Sequence, residues 1–259
     1  MDKVVASAAE AVADIPNGAT LAVGGFGLCG IPAVLIDALL EQGASDLKVA
    51  SNNCGVDGSG LGKLLGEHRI SRVTASYVGE NKEFARQFLS GELEVELIPQ
   101  GTLAERLRAA GIGIPAFYTA SGVGTQVAEG GLPWRYDAEG NVTLSSPPRP
   151  TAEFTVDGVL RPYVLEQAFF ADYALVRAAK GDRHGNLVFN KSARNFNPLA
   201  AMSAKVAIVE VEELVEVGSI DPDAVHLPGV FVHRVVALSP EQAADKRIEK
   251  ATTRERKAS

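Results

Sequence analysis

The chain has 259 residues, 46% of them hydrophobic and 22% charged, with a formal net charge of −7. That length suits one large α/β domain or two small ones, with a core that needs no staples, and the acidic balance argues against nucleic acid as a partner. With only Cys29 and Cys54, no secretion signal in "MDKVVASAAEAVADI" and no apolar run near the roughly 20 residues of a membrane span, the reading is a cytoplasmic protein with neither disulfides nor a membrane anchor.

In chain order, "DKVVASAAEAVADI" has helical spacing and is stopped by Pro16 and Gly18. "ATLAVGGF" is a short apolar strand that runs into a glycine loop, and "AVLIDALLEQG" is a helix with Pro32 in its first turn and Gly43 as its stop. The alternation goes on: "DLKVASNN" a strand, "GSGLGKLLGEH" a glycine-broken helix, "ISRVTASYVG" a strand, "NKEFARQFLSG" a helix and "LEVELIPQ" a strand. "TLAERLRAAG" follows as a helix that Thr102 and Glu105 would open as a capping box. Strand and helix in alternation imply an α/β fold, an open, mostly parallel twisted sheet with helices on both faces.

From Gly122 to about Val159 the pattern weakens, and "SSPPRPTAEF" has loop composition, so residues 122–159 are expected to be an irregular excursion within a single domain spanning 1–238. "ADYALVRAA" then reads as a strand, with "GNLVF" pairing back through the turn "GDRHG". Asn197 is expected to cap the helix of "NPLAAMSA", with Pro198 in its first turn. "KVAIVEVEEL" and "GVFVHRVVAL" are further strands, and residues 239–259 are a charged tail, helical only in part.

"AVGGFGLCGIP" contains G-x-G-x-x-G at Gly25, Gly27 and Gly30. A dinucleotide site also needs an acid at the carboxyl end of the second strand to hold the ribose. Asp46 lies before that strand, and Ser51-Asn52-Asn53 occupy its end. The glycines therefore suit another anionic ligand brought close to backbone N–H groups at a helix N-terminus, or tight helix-on-strand packing. "GSGLGKLL" imitates a phosphate loop but fails it, because Asp57 stands where the first glycine belongs and Leu64 replaces the magnesium-holding hydroxyl.

Ligands of open parallel sheets sit beyond the carboxyl ends of the strands. Those ends carry the glycine loop, Asn52 and Asn53, Glu80 and Asn81, and Gln100. Amides can donate to a carboxylate or an oxyanion without titrating, or can cap helices and turns. No nucleophile with a base is visible. Cys29 reads as small buried filler, Glu80 as a charge near a helix N-terminus, and His68, His184, His226 and His233 lack metal-ligand spacing.

"NGATLAVGGFGLCGIP", "SNNCG", "SYVGENKEF", "SGELEVELIPQGTLAERLRAAG", "GIPAFYT" and "KSARNFN" together resemble the A subunits of the family I coenzyme A transferases, and are especially similar to the succinyl-CoA:3-oxoacid branch, over about Val4 to Arg234. The resemblance implies an open α/β fold and catalysis between an A part and a similar B part. It implies that the nucleophilic glutamate belongs to the B part, so that no residue of this chain is itself the nucleophile, and that the partner is a B subunit in a hetero-oligomer such as A2B2. Coenzyme A is then a co-substrate, with no other cofactor and no metal. Gly24, Gly25, Phe26, Gly27, Leu28, Cys29 and Gly30 would form the CoA-binding segment, and we assign Asn52, Asn53 and Gln100 to the substrate carboxylate and oxyanion. The acceptor would be a 3-oxoacid such as acetoacetate, or 3-oxoadipate. A different class, an anionic-metabolite sensor or a sugar-phosphate isomerase, would need an output module or an internal acid–base pair, and neither is visible.

Overall fold

The structure is a computed structural model that describes residues 1–246. The first half alternates as α1 (Ala8–Val12), β1 (Thr20–Val23), α2 (Ala33–Gln42), β2 (Leu47–Ala50), α3 (Leu61–Gly66), β3 (Ile70–Ala75), α4 (Lys82–Leu89), β4 (Glu94–Leu97) and α5 (Gln100–Gly111). Next come β5 (Ala116–Thr119), α6 (Gln126–Glu129), β6 (Pro133–Tyr136), β7 (Val142–Ser145), β8 (Thr151–Val156) and β9 (Val159–Gln167). The chain then runs through β10 (Ala171–Asp182), β11 (Leu187–Val188), α7 (Asn197–Met202), β12 (Ala204–Val215), β13 (Arg234–Ala237) and α8 (Pro240–Ala244).

The main sheet has the order β13-β12-β10-β1-β2-β3-β4, all parallel, and β11 pairs antiparallel with β10. Period-two alternation divides each strand between two cores. Leu21, Val23, Val49, Val73 and Val95 face α1 to α4, while Ala22, Ala50, Ala174 and Val176 face α5 and α7. Helices therefore cover both faces, as the alternation required. The chain fills the sheet outward from β1 to β4 and returns on the other side of β1, at β10. The strand order thus reverses between β1 and β10, and the loops above that point diverge into a crevice.

Residues 122–159 are not irregular. They carry the β6–β7 hairpin and β8, the strand that joins β9 and β5 in a three-stranded antiparallel sheet of order β5-β9-β8. Short strands with exposed faces left a weak pattern in the sequence, since β7 is exposed at every position and β8 at most. Charge and ring contacts dock this unit. Arg106 and Arg72 each bond the buried Glu96 at 2.9 Å, Arg149 pairs with Glu166 and reaches Glu96, and the Arg72 guanidinium lies 5.0 Å over the Trp134 ring.

Other differences are local. The first helix starts only at Ala8, capped by the Ser7 hydroxyl, because the preceding valines extend along the edge of β13, where the Val5 N–H donates to the Val235 carbonyl at 3.0 Å. β-Branched residues beside an open strand edge favour that pairing over a helical turn. Of "GVFVHRVVAL" only Arg234–Ala237 is strand, and Gly229–Phe231 form a 3-10 turn. The Gly43 stop, with φ +93°, and the β11 return are as expected. Of the charged tail, α8 is a short helix with a Ser239/Gln242 capping box, and residues 247–259 lie outside the described residues. No helix among the described residues is long and apolar enough to cross a membrane.

Candidate active site at the strand ends

The glycine loop leaves the sheet above the β1/β10 reversal. The Gly24 N–H extends the ladder by donating to the Leu175 carbonyl at 2.9 Å. Phe26 and Cys29 then exchange hydrogen bonds, at 3.0 and 2.9 Å, and close a tight turn around Gly27 and Leu28. Gly25 joins a left-handed backbone, φ +109°, to a close neighbour, since a Cβ there would meet Ile31 Cδ1 at 2.4 Å.

The amides at the strand ends form one connected chain. Gln100 Nε2 donates to Asn52 Oδ1 at 2.8 Å, and Ser76 Oγ donates to the same oxygen at 2.9 Å. Asn52 Nδ2 donates to Asn53 Oδ1 at 3.3 Å. Asn53 clamps the Gly27 peptide, accepting its N–H at 3.0 Å and donating to its carbonyl at 3.3 Å. Polar groups from the ends of β1, β2, β3 and β4 are therefore wired together without a formal charge, and each bond polarises the next. Asn52 and Asn53 are buried, whereas Gln100 is exposed at the open end. Each carboxamide nitrogen carries two donors, so Asn52, Asn53 and Gln100 each keep one N–H beyond the bond described. In the turn, the Gly25 and Leu28 N–H groups have no internal acceptor among the described residues.

Gln100 is placed by an unexpected helix start. Pro99, at φ −55° and ψ 139°, sits at the cap position, and Gln100 is the first residue of α5. The anticipated capping box is therefore absent: Thr102 lies inside the first turn with its Oγ1 buried and unpartnered, and Glu105 bonds Arg108 at 2.8 Å. Asn197 does not cap α7 either. Phe196 takes that position in helical conformation, and Asn197 is fully buried beneath the glycine loop.

Residues of the remaining motifs have structural duties. Asn81 caps α4 by accepting from the Phe84 N–H at 2.9 Å, and Asp57 accepts from the Lys82 and Glu83 N–H groups at the same helix end. Glu80 is exposed, at φ +62°, outside the amide chain. The His226 and His233 Nδ1 atoms accept backbone N–H groups at 2.9 and 3.0 Å, and burial lowers both pKa values. His68 lies 3.4 Å from Glu92 on the surface, and His184 is in the β10–β11 turn. Burial pushes the Cys54 thiol up to about 12, so it is no nucleophile. Cys29 is half-exposed rather than buried filler, with its Sγ 3.3 Å from Ser192 Oγ. No metal-binding cluster exists among the described residues.

Two buried residues behind the loop were not anticipated. Asn197 Oδ1 accepts the Arg177 N–H at 3.0 Å, and its Nδ2 donates to the Gly30 carbonyl at 3.0 Å. Glu210, fully buried on β12, accepts the Leu35 N–H at 2.9 Å in the first turn of α2 and faces Arg177 at 3.3 Å. Burial, only partly opposed by Arg177, pushes its carboxyl up to about 7. A glutamate inside the apolar run "VAIVEVE" was the available signal, because a buried strand tolerates a carboxylate only where partners await it. A cavity of about 340 Å³ opens beside the loop, lined by Leu28, Ile31, Gly55, Gly60, Lys63 and Arg177 among others.

The sequence of residues 5–238 matches the coenzyme A transferase family. The chain is 66% identical over 255 residues to the probable A subunit of the succinyl-CoA:3-ketoacid coenzyme A transferase of Mycobacterium tuberculosis, covering 98% of this chain and 100% of that one. It is 52% identical over 250 residues to the human mitochondrial succinyl-CoA:3-ketoacid coenzyme A transferase 2, covering 96% of this chain and 47% of the human one. Its backbone resembles the crystal structure of an acyl-CoA transferase apoenzyme from Escherichia coli O157:H7, with a TM-score of 0.75 at 24% identity, over 93% of this chain and 48% of that chain. The chain thus spans about half the length of the human and Escherichia coli proteins and the whole of the mycobacterial one.

Proposed function

The chain belongs to the coenzyme A transferase family, and on that premise we propose that it is the A subunit of a succinyl-CoA:3-oxoacid CoA-transferase whose attacking glutamate lies on a B subunit. The observation that carries this reading is the chemistry of the strand ends. The groups that converge there are carboxamides, a hydroxyl and glycine peptides, a set that stabilises negative charge and includes no carboxylate to attack a thioester. The mycobacterial relative is itself a probable A subunit, and this supports the division of labour.

In this reading the partner's glutamate attacks the thioester carbonyl of succinyl-CoA. CoA leaves as its thiolate, and a mixed anhydride forms. The thiolate then attacks the glutamyl carbonyl, which releases succinate and leaves a glutamyl-CoA thioester. The 3-oxoacid carboxylate repeats the two steps in the opposite sense and departs as its CoA ester. Each step passes through an oxyanion. The spare N–H groups of Asn52 and Gln100 serve the substrate carboxylate and that oxyanion, Asn53 holds the turn in register, and Gly24 to Gly30 lie along CoA. CoA is the co-substrate, and no other cofactor or metal enters. Acetoacetate is the acceptor we favour, in a hetero-oligomer with the B subunit.

The test is CoA exchange between succinyl-CoA and acetoacetate, measured with this chain alone and with its B partner. Exchange is expected only with the partner, with the thioester trapped on the partner's glutamate. Turnover by the lone chain, or an adduct on it, would overturn the assignment. A complex inactive with every 3-oxoacid would favour a metabolite-binding role.

A further inference from the structure

We propose that Asn197 is the positioning residue of the glycine loop, acting as a surrogate peptide unit where β1 leaves the sheet. The role deepens the function proposed above and rests on it.

One edge of β10 is served by three partners in turn. β1 pairs with it as far as Leu175, whose carbonyl takes the Gly24 N–H. β11 takes over at Lys180 and Gly181. Between them the Arg177 N–H faces the gap left by β1, and a buried N–H without an acceptor is costly. Asn197 fills the gap: its Oδ1 takes that N–H at 3.0 Å, and its Nδ2 donates to the carbonyls of Gly30 at 3.0 Å and Ala193 at 2.9 Å. Accepting on one side and donating on the other is what the next peptide of a continuing strand would do. Here the far partner is the loop instead.

The contact explains one glycine and adds to the φ of +70° that already calls for another. A Cβ on Gly24 would lie 1.9 Å from Asn197 Oδ1, and one on Gly30 would lie 2.8 Å from Asn197 Nδ2. Gly24 has no left-handed backbone to justify it, so Asn197, first through its carboxamide and then through its Cα at 3.0 Å, is the reason a glycine stands there. Neighbouring residues grip the same half of the loop. Asn195 Nδ2 donates to the Cys29 carbonyl at 3.1 Å, and Ser192 Oγ touches Cys29 Sγ. The loop is thus held at Gly27 by Asn53 from the substrate side and at Gly30 by Asn197 from behind. These contacts fix where the Gly25 and Leu28 N–H groups sit.

The steric pairing supplies the test. The complex with the B subunit is prepared as wild type, Gly24→Ala, Asn197→Ala and the double variant, and kcat, KM for acetoacetate and thermal midpoint are measured. Each single change is expected to lower kcat about tenfold, with KM for the oxoacid moving less than about threefold, because the carboxylate contacts lie elsewhere. The double variant is expected to match Asn197→Ala, since removing the carboxamide takes away the two atoms nearest the new methyl group and leaves the residue's Cα at 3.0 Å. A double variant that loses the product of the two effects, about a hundredfold, overturns the proposal, as do single variants with unchanged kcat. Should Asn197→Ala fail to fold, Asn197→Ser replaces it with the same two outcomes. Should the wild-type complex move no CoA, the functional reading fails rather than the clamp. Amide hydrogen exchange at residues 24–31 then decides: faster exchange there in the Asn197 variant, with β12 unchanged, supports the clamp, and unchanged loop exchange overturns it.

Discussion

Gly25 and Gly24 show two different reasons for a glycine within one short stretch. Gly25 adopts φ +109° with Ile31 pressed against its vacant side, whereas Gly24 has ordinary backbone and makes room for Asn197. A β-branched side chain at Gly25 must move both its own backbone and Ile31, at a cost of roughly 1–3 kcal/mol for the dihedral strain alone. Gly25→Val is therefore expected to lower kcat/KM for CoA exchange at least about tenfold while the far-ultraviolet circular dichroism of the complex stays that of wild type. Unchanged kinetics would show that the loop only packs. The amides divide in the same way. Asn81 spends its side chain on the α4 cap and the Cys54 carbonyl, Asn53 clamps the Gly27 peptide, and Asn52 and Gln100 bond along the amide chain.

At the scale of elements, the small antiparallel sheet is fastened to the main one by the cluster around Glu96. Burial raises the pKa of that carboxyl, but Arg106 and Arg72 together more than reverse it, and it lies below the ordinary 4.5. A depressed carboxylate contributes stability that is present above the unfolded pKa and is lost as pH falls through the folded value. Glu166, in the same cluster, is shifted upward, first by burial, so the comparison must isolate Glu96. Glu96→Gln is expected to cost roughly 3 kcal/mol at neutral pH, the usual consequence of leaving buried arginines without their partner. That gap between wild type and variant should hold above pH 4.5 and close as the pH is lowered further, and a gap independent of pH would refute the account. Glu210 is shifted the opposite way, to about 7, so its contribution is largest below the unfolded pKa and fades as pH rises through that value. The rule that a buried carboxylate needs waiting partners applies to both, and the two environments decide the sign.

For the whole molecule, the strand-order reversal between β1 and β10 sets the place of the candidate site, and the function proposed above seats the B subunit over it. Phe26 and Tyr77, 45% and 55% exposed, stand beside the amide chain as large apolar side chains open to solvent. Changing both to serine is expected to weaken binding to the B subunit by about tenfold or more in titration calorimetry, without lowering the thermal midpoint of the isolated chain; unchanged affinity would place the partner elsewhere. The alternating strands and helices, the parallel sheet covered on both faces, the glycine loop and the polar strand ends were all legible in the sequence, because each depends on local periodicity or on a residue type that only a turn or a strand end accommodates. Residues 122–159 were not, since exposed antiparallel strands carry little hydrophobic pattern. Nor were the partners of Asn197 and Glu210, because a side chain's hydrogen bonds across the fold have no signature at short range. Local residue pattern was enough to set which elements form and which chemistry gathers at their ends. Which side chains hold the loop emerged from the packed fold alone, for that depends on where β1 stops beside β10 and on the gap it leaves.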